Sequence, residues 1–178
     1  MKLLGAVLAG GRSSRFGSDK AAALLHGRAL IDHAVAAFAA QCEAVVVVGR
    51  DYPGTPSIPD RPRPDCGPLG GLAGAFGHAL DHGFDTVLTG GVDSVGLPAD
   101  LATRLAPAPA FLATQPVVGL WPATAGADAV AAIMASDGRH SMHAFATRIG
   151  ARAVKLAAEP ANVNTQADLD RLENLDGL

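Results

Sequence analysis

Short runs of apolar residues alternate with amphipathic stretches along this chain. Residues 3–8, 44–49 and 84–89 are rich in apolar and β-branched side chains, which is typical of strands buried on both faces of a parallel sheet. Residues 29–41 place apolar side chains on one helical face, as expected of a helix that crosses over between two parallel strands. The pattern predicts an α/β fold, with three αβα layers around a mostly parallel, Rossmann-like sheet.

Proline and glycine mark the boundaries of the later elements. The Pro-rich passage 53–64 predicts a loop with one short strand near Ile58, because proline removes a backbone donor from a helix or a central strand. Gly67-Pro68 predicts the start of a second helix, to about residue 82, and Leu97-Pro98 the start of a third. Further strands are predicted at 111–114, 117–121 and 153–156, and further helices at 123–136, 141–149 and after Thr165, which has N-cap spacing to Asp168.

Length and composition limit the class of protein. The 178 residues show no linker and no repeat, so a single domain spanning 1–178 is expected. With one Trp, one Tyr and six Phe, the core is expected to consist of Ala, Val and Leu. The formal charge of −3 argues against a nucleic-acid-binding protein. Cys42 and Cys66 lie far apart without metal-type spacing and are expected to be free thiols.

The first apolar run ends too early for a signal peptide or a membrane span. Gly10-Gly11 interrupts it after residue 8, well short of the roughly 20 apolar residues that a spanning helix needs. The sequence therefore predicts a cytoplasmic protein with no membrane partner.

The loop after the first strand carries the strongest chemical signal. Gly10-Gly11 is followed by three cations, Arg12, Arg15 and Lys20. Ligands of open α/β sheets bind beyond the carboxyl ends of the strands, and glycines let the backbone approach a phosphate closely. The loop lacks the pattern of a Walker P-loop and the dinucleotide-binding fingerprint. It predicts a polyanion site, the alternative being an ordinary solvated turn.

This stretch resembles the signature LAGG-x-S-x-RFG-x-DK of nucleotidyltransferases, and in particular of the molybdenum cofactor guanylyltransferases. The matching segments are 8–11, Ser13, 15–17 and 19–21. The resemblance implies a sheet of the nucleotidyltransferase (GT-A-like) type. It also implies that paired glycines offer backbone donors to phosphates, that an arginine and a lysine hold phosphates, and that two further residues border base and ribose. In this chain those positions are Gly10 and Gly11, Arg15 and Lys20, and Leu8 and Ala9.

Asp93 follows the third strand run and is the candidate metal ligand. A carboxylate at a strand's carboxyl end can hold Mg²⁺, which binds one or two carboxylates together with substrate phosphates; a turn or cap role is the alternative. The segment 93–101 resembles the family pattern D-x-x-x-(L/I)-P-x-D-L, whose first Asp is the magnesium ligand. Gly91-Val92 stands where many relatives have Pro-Cys or a similar pair.

Three further segments resemble family motifs that border the two substrates. Asp60 aligns with an acidic residue associated with the guanine nucleotide, and residues 67–71 resemble the GPL-x-G segment beside it; tight helix packing is the alternative for those glycines. Gln115-Pro116 resembles a Gln/His-Pro pair near the acceptor, or is a strand bend at proline. Asn162 and Asn164, in a segment similar to NVNTPEDL, lie by the pterin in the family, or form Asx turns.

The resemblance covers residues 8–169 and implies a guanylyltransferase. Its substrates would be GTP and the molybdopterin cofactor, with Mg²⁺ as metal cofactor and with transient contact to molybdenum-cofactor enzymes or their chaperones. The alternatives are a cytidylyltransferase on the same cofactor, a sugar-phosphate nucleotidyltransferase, and a non-catalytic nucleotide-binding module. His140 and His143 lack a third metal ligand nearby and are assigned no chemistry.

Overall fold

The computed structural model of the protein describes residues 2–11, 16–64 and 66–175. The strands in this part of the chain are β1 (Leu3–Leu8), β2 (Leu24–Leu25), β3 (Arg28–Ala29), β4 (Ala44–Val48), β5 (Ser57–Ile58), β6 (Thr86–Gly91), β7 (Ser94–Val95), β8 (Ala110–Leu112), β9 (Gln115–Pro122), β10 (Arg152–Val154) and β11 (Ala161–Asn162). The helices are α1 (Leu30–Ala39), α2 (Gly67–Asp81), α3 (Leu101–Leu105), α4 (Ala123–Met134), α5 (Met142–Arg148) and α6 (Gln166–Leu175), and a 3₁₀ turn covers Lys20–Ala22.

A mixed seven-stranded sheet forms the centre of the fold, in the order β10-β8-β9-β6-β1-β4-β5. Strand β9 runs antiparallel to both of its neighbours, whereas the other pairings are parallel. The antiparallel exception follows from chain connectivity, because β8 and β9 are joined by a turn too short for a crossover helix. The predicted α/β fold with a mostly parallel sheet is confirmed.

The core fills both faces of this sheet. One face packs against α2, α4 and α5 around Phe76, Trp121 and Phe145, and the other packs against α1 and α3 around Phe38. Ala, Val and Leu fill most of the remaining volume, as expected. These four aromatic side chains are nevertheless fully buried, so the few large residues of the chain are concentrated in the core.

The strand that precedes Asp93 is shifted relative to its prediction. Strand β6 begins at Thr86 and continues through Gly90 and Gly91, which pair with β1. A Cβ at Gly90 would lie 2.9 Å from Cζ of Phe38, so glycine lets α1 pack closely here. Helix α3 was also predicted too early, because it begins at Leu101 rather than beside Pro98.

Two short sheets and a helix cap complete the described secondary structure. The two-stranded sheets β2-β3 and β11-β7 were not predicted, since two-residue strands carry no readable periodicity. Before α6, the Thr165 hydroxyl accepts the amide of Asp168 at 3.2 Å, which confirms the predicted cap. Cys42 and Cys66 are free thiols. Among the residues described, no helix has the length and apolar character to cross a membrane.

Candidate active site

The loops after β1, β4 and β6 meet at one edge of the sheet. Leu8 of β1 is in register with Val48 on one side and with Gly91 on the other. Because the three strands are parallel and in register, their carboxyl ends deliver the next residues to the same place. Gly10, Gly49 and Asp93 therefore come together there.

Two glycines bring the first two loops into backbone contact. A Cβ at Gly49 would lie 2.7 Å from Cα of Gly10, and Gly49 has a φ of +86°, a conformation that favours glycine. Gly11 has a φ of +108°, and no atom of the described residues lies within 4 Å of its Cβ position. Gly10 thus fits against a neighbouring loop, while Gly11 takes a conformation that favours glycine.

Two adjoining cavities lie over this edge and have a common wall of Leu8, Gly10, Gly11 and Asp93. The larger, of about 590 Å³, extends toward the start of α2 and is also lined by Val48, Asp60, Gly67, Pro68, Gly71, Gly91 and Val117. The smaller, of about 380 Å³, extends over the 3₁₀ turn and is also lined by Ala9, Asp19, Lys20, Ala21, Gly49, Arg50 and Val92. Cavities of this size accommodate a small-molecule ligand.

Lys20, which lines the smaller cavity, meets Asp93 of the common wall. The Lys20 ammonium donates to Oδ2 of Asp93 at 3.3 Å, and the two side chains are 14% and 29% exposed. A lysine is suited to phosphate and a carboxylate to a hard cation. The structure therefore brings the candidate phosphate ligand and the candidate metal ligand together, each reachable from solvent.

A second ion pair fixes the loop that carries Lys20. Arg50 donates to both carboxylate oxygens of Asp19, at 2.9 and 2.6 Å. Hydrogen bonding from Arg50 lowers the pKa of Asp19 below its usual value. Asp19 also accepts the amide of Ala21 at the start of the 3₁₀ turn. Arg50 was missed from the sequence, although it follows a glycine at a strand's carboxyl end, the same signal that pointed to Gly10.

Asp60 lies close to the loops that carry Gly10 and Gly49. It lines the 590 Å³ cavity and a further one of about 320 Å³, which Gly49 and Arg50 also line. One carboxylate oxygen of Asp60 would be 3.1 Å from a Cβ at Gly49. The carboxylate therefore lies against the loops that carry Gly10 and Gly49, and its role beside a nucleotide stays a prediction.

The glycines of α2 divide between packing and lining a cavity. A Cβ at Gly74 would clash with the carbonyl oxygen of Pro59, and one at Gly70 would meet Cys66. Gly71 lines the large cavity, and a Cβ there would lie 3.1 Å from Cδ2 of Leu8. Tight packing therefore accounts for Gly70 and Gly74, whereas a role for Gly71 beside a ligand stays a prediction.

Asn162 lines a cavity together with Asp93, whereas Asn164 lies beside the start of α6. The amide of Val163 donates to the carbonyl oxygen of Asp93 at 2.9 Å, and Asn162 and Asp93 line a cavity of about 250 Å³ together with Thr114, Gln115, Pro116, Val117, Met142 and His143. Asn164 is outside the described lining of all four cavities. Its backbone amide donates to Asp168 at the start of α6.

Some predicted site residues lie outside the described part of the chain. Arg15 is one of them, as are Arg12 and Ser13, so the role of Arg15 stays a prediction. Within the described ranges, no group of three or more His, Cys, Asp or Glu side chains forms a protein-only metal site.

Comparisons with known proteins agree on one family. The family model of the MobA-like NTP transferase domain matches residues 5–162. The chain is 40% identical to the molybdenum cofactor guanylyltransferase of Acidiphilium cryptum, over 94% of this chain and 92% of that one. It is 36% identical to the protein of the same name from Rhizobium leguminosarum bv. trifolii, over 97% and 92% of the two chains.

Solved structures show the same fold. The molybdopterin-guanine dinucleotide biosynthesis protein A of Archaeoglobus fulgidus superposes with a TM-score of 0.76 at 19% identity, over 98% of each chain. The 2-C-methyl-D-erythritol 4-phosphate cytidylyltransferase of Thermus thermophilus gives 0.68 at 16% identity, over 97% of this chain and 98% of that one. Proteins whose names specify different nucleotides and acceptors thus have this fold in common.

Proposed function

The chain belongs to the MobA-like NTP transferase family, and on that premise we propose that it is a molybdenum cofactor guanylyltransferase. It is an enzyme of the nucleotidyltransferase class. In the proposed reaction, GMP passes from GTP to the molybdopterin cofactor, giving the guanine dinucleotide form of the cofactor and pyrophosphate. We propose that residues 1–178 act as a single domain of this type. The cytoplasmic location and the contacts with molybdenum-cofactor enzymes or their chaperones stay predictions.

The observation that carries this proposal is the meeting of Lys20 and Asp93 where the cavities adjoin. In-line attack of the acceptor's phosphate on the α-phosphorus of GTP needs no covalent enzyme intermediate. It needs the two substrates held in line and the charge on the phosphoryl oxygens neutralised. A cation and a carboxylate at the junction of two cavities suit both requirements.

Each residue of the first loop has a distinct task in this mechanism. Lys20 binds phosphate oxygens once it leaves Asp93, and Gly10 and Gly11 offer backbone donors. Arg15 is proposed to join them on the phosphates. Leu8 and Ala9 border the base and ribose.

Asp93 suits the proposed Mg²⁺ because it presents a hard oxygen ligand to three of the four cavities. When bound, the ion supplies positive charge to the transferring group and the leaving pyrophosphate. Lys20 then changes partner, from the Asp93 carboxylate to phosphate.

The remaining residues divide between the two substrates. Asp60 lies on the nucleotide side, beside the glycine loops. Asn162 lies on the side of the smallest cavity, where we place the acceptor. Asn164 belongs to this set by resemblance only, since it lies away from that cavity.

A nucleotide panel tests the proposal. Pyrophosphate release should be measured with molybdopterin and each of GTP, CTP, ATP and UTP, and GTP should give the highest kcat/KM. A site that hydrogen-bonds guanine leaves groups unpaired with other bases, at roughly 1–3 kcal/mol each. A preference for CTP would assign the chain to the cytidylyl branch, which the fold alone does not exclude. Binding of GTP without any turnover would favour the non-catalytic module.

A further inference from the structure

Gln115, the first residue of β9, lies where three distant segments of the chain meet. Its side chain is only 5% exposed, and that of Ser94 is 4% exposed. The Ser94 hydroxyl donates to Oε1 of Gln115 at 2.7 Å, and Nε2 of Gln115 donates to the carbonyl oxygen of Pro160 at 2.7 Å. One buried amide therefore joins the segment after β6 to the segment before β11.

The orientation of this amide is fixed by its partners. The Pro160 carbonyl can only accept, so the amide nitrogen must face it, and the amide oxygen is left for the Ser94 hydroxyl. Both ends of the Gln115 side chain are thus bound within the protein.

Each segment held by Gln115 carries a site residue. Ser94 directly follows Asp93, and Pro160 precedes Asn162 by two residues. The same segments also pair as β7 and β11, with Asn162 opposite Ser94, and the Val163 amide donates to the Asp93 carbonyl. Because these strands have only two residues each, few backbone hydrogen bonds hold the pair. The two hydrogen bonds of the Gln115 side chain add a further connection between the segments that carry these strands.

We propose that Gln115 is a positioning residue that sets Asp93 and Asn162 relative to each other, and so couples metal binding to acceptor binding. The inference rests on the proposed function for the identity of the acceptor. It differs from a simple packing role because the two hydrogen bonds support different site residues. The Ser94 bond acts on the metal ligand, and the Pro160 bond acts on the acceptor side.

Three variants separate the two bonds. Gln115→Met keeps the length of the side chain and removes both bonds. Ser94→Ala removes only the bond toward Asp93. Gln115→Glu keeps an acceptor for Ser94 but loses the amide donor to Pro160. Ile133→Val, a small core change in α4 away from the four cavities, is the control for general destabilisation.

The test measures the Mg²⁺ requirement and the acceptor KM separately in the full chain. Gln115→Met should raise both by on the order of tenfold, with the KM for GTP changed less than about twofold. Ser94→Ala should mainly raise the Mg²⁺ requirement, and Gln115→Glu mainly the acceptor KM. The Mg²⁺ requirement of the Ser94→Ala/Gln115→Met double variant should equal that of Gln115→Met alone, because both changes remove the same bond.

Two results would overturn the proposal. One is a Gln115→Met enzyme whose constants change no more than those of Ile133→Val. The other is the same pattern of change in Ser94→Ala and Gln115→Glu.

Hydrogen exchange separates failure of this inference from failure of the proposed function. If the wild type shows no turnover with molybdopterin and any nucleotide, the proposed function fails, whereas the positioning role is still tested. The Val163 amide should exchange faster in Gln115→Met than in Ile133→Val, because its acceptor segment has lost support. Equal exchange rates in the two variants would contradict the positioning role.

Discussion

The proposed nucleotide side and the proposed acceptor side of this site are constructed differently. On the nucleotide side, the loops after β1 and β4 touch through the backbones of Gly10 and Gly49, and their charges lie in ion pairs between side chains. On the acceptor side, the short antiparallel pair of β7 and β11 is further joined by the buried Gln115 amide, which hydrogen-bonds Ser94 and the Pro160 carbonyl. In the proposed function, the first arrangement offers backbone donors and charged side chains to phosphates. The second is proposed to set Asp93 and Asn162 relative to each other, and substitutions should separate the two sides.

The largest effect is expected for Lys20→Ala, which removes the movable cation of the nucleotide side. The Lys20 ammonium donates to Asp93, and the 3₁₀ turn that carries it lies outside the sheet, so the fold should persist. The loss of a charge that strengthens its contact in the transition state should lower kcat/KM by on the order of 10²–10³-fold. Turnover and thermal melting measure the two effects. Normal turnover would contradict the role of Lys20 in binding phosphate. A larger increase in the acceptor KM than in the KM for GTP would contradict the division into two sides.

Asp93→Asn tests the residue that lines cavities on both sides of the site. Asparagine keeps a neutral oxygen, and the backbone carbonyl still accepts from Val163, so the cost in stability should stay within about 1 kcal/mol. Removal of one formal charge from the metal ligands should raise the Mg²⁺ requirement by on the order of 10²-fold. A Mg²⁺ titration of pyrophosphate release and a melting curve measure both effects. A folded variant with unchanged metal dependence would exclude Asp93 as the ligand.

Gly49→Ala tests the backbone contact on the nucleotide side alone. The new Cβ would meet Gly10 at 2.7 Å and would force alanine to a φ of +86°, which should cost on the order of 1–3 kcal/mol of unfolding free energy. The KM for GTP should rise, and the acceptor KM should not.

Gly54→Ala is the matched control for that contact. Gly54 has a similar φ of +79° but nothing within 4 Å of its Cβ position. The difference in unfolding free energy between the two variants therefore measures the clash with Gly10 rather than the backbone strain. Equal destabilisation in denaturant titrations would show that the contact between the two loops contributes nothing.

The smallest effect is expected for the ion pair between Asp19 and Arg50. Arg50 holds the pKa of Asp19 below its ordinary value, so the pair stabilises the fold above the unfolded pKa of the carboxyl group. That stabilisation is lost as pH falls through the lower, folded pKa. The Asp19 side chain is 50% exposed, so solvent screening limits its contribution to less than about 1 kcal/mol. Denaturant titrations of the wild type and Asp19→Asn across the acid range measure the difference, which should vanish at the acid end.

Asp100→Asn provides the comparison for this effect. Asp100 pairs with Arg104 at 2.7 Å on α3, outside the four cavities, and hydrogen bonding from Arg104 likewise lowers its pKa. Asp19→Asn should raise the KM for GTP a few-fold, whereas Asp100→Asn should leave it unchanged. An unchanged KM for GTP in both variants would show that the ion pair between Asp19 and Arg50 makes no contribution to GTP binding.

Most of the nucleotide side could be predicted from the sequence. Strand β1 was predicted at its observed bounds, Leu3–Leu8, and Gly10-Gly11 was correctly located at its carboxyl end. Local information suffices for this, because an apolar run, its length and the glycines that end it all lie within ten residues. Arg50 was missed although the same signal precedes it, because a single arginine after a strand has many uses and its partner Asp19 lies in another loop.

The sequence by itself therefore determined the α/β class, the succession of the main strands along the chain and the loops that emerge at one edge, since these follow from local periodicity and from the common direction of parallel strands. Only the tertiary structure decided which side chains meet. Lys20 and Asp93 are 73 positions apart, and Gln115 is bonded to residues 21 positions before it and 45 after it. A hydrogen bond of this kind depends on where two remote segments are placed by the packing of the whole core, and no local pattern encodes that placement.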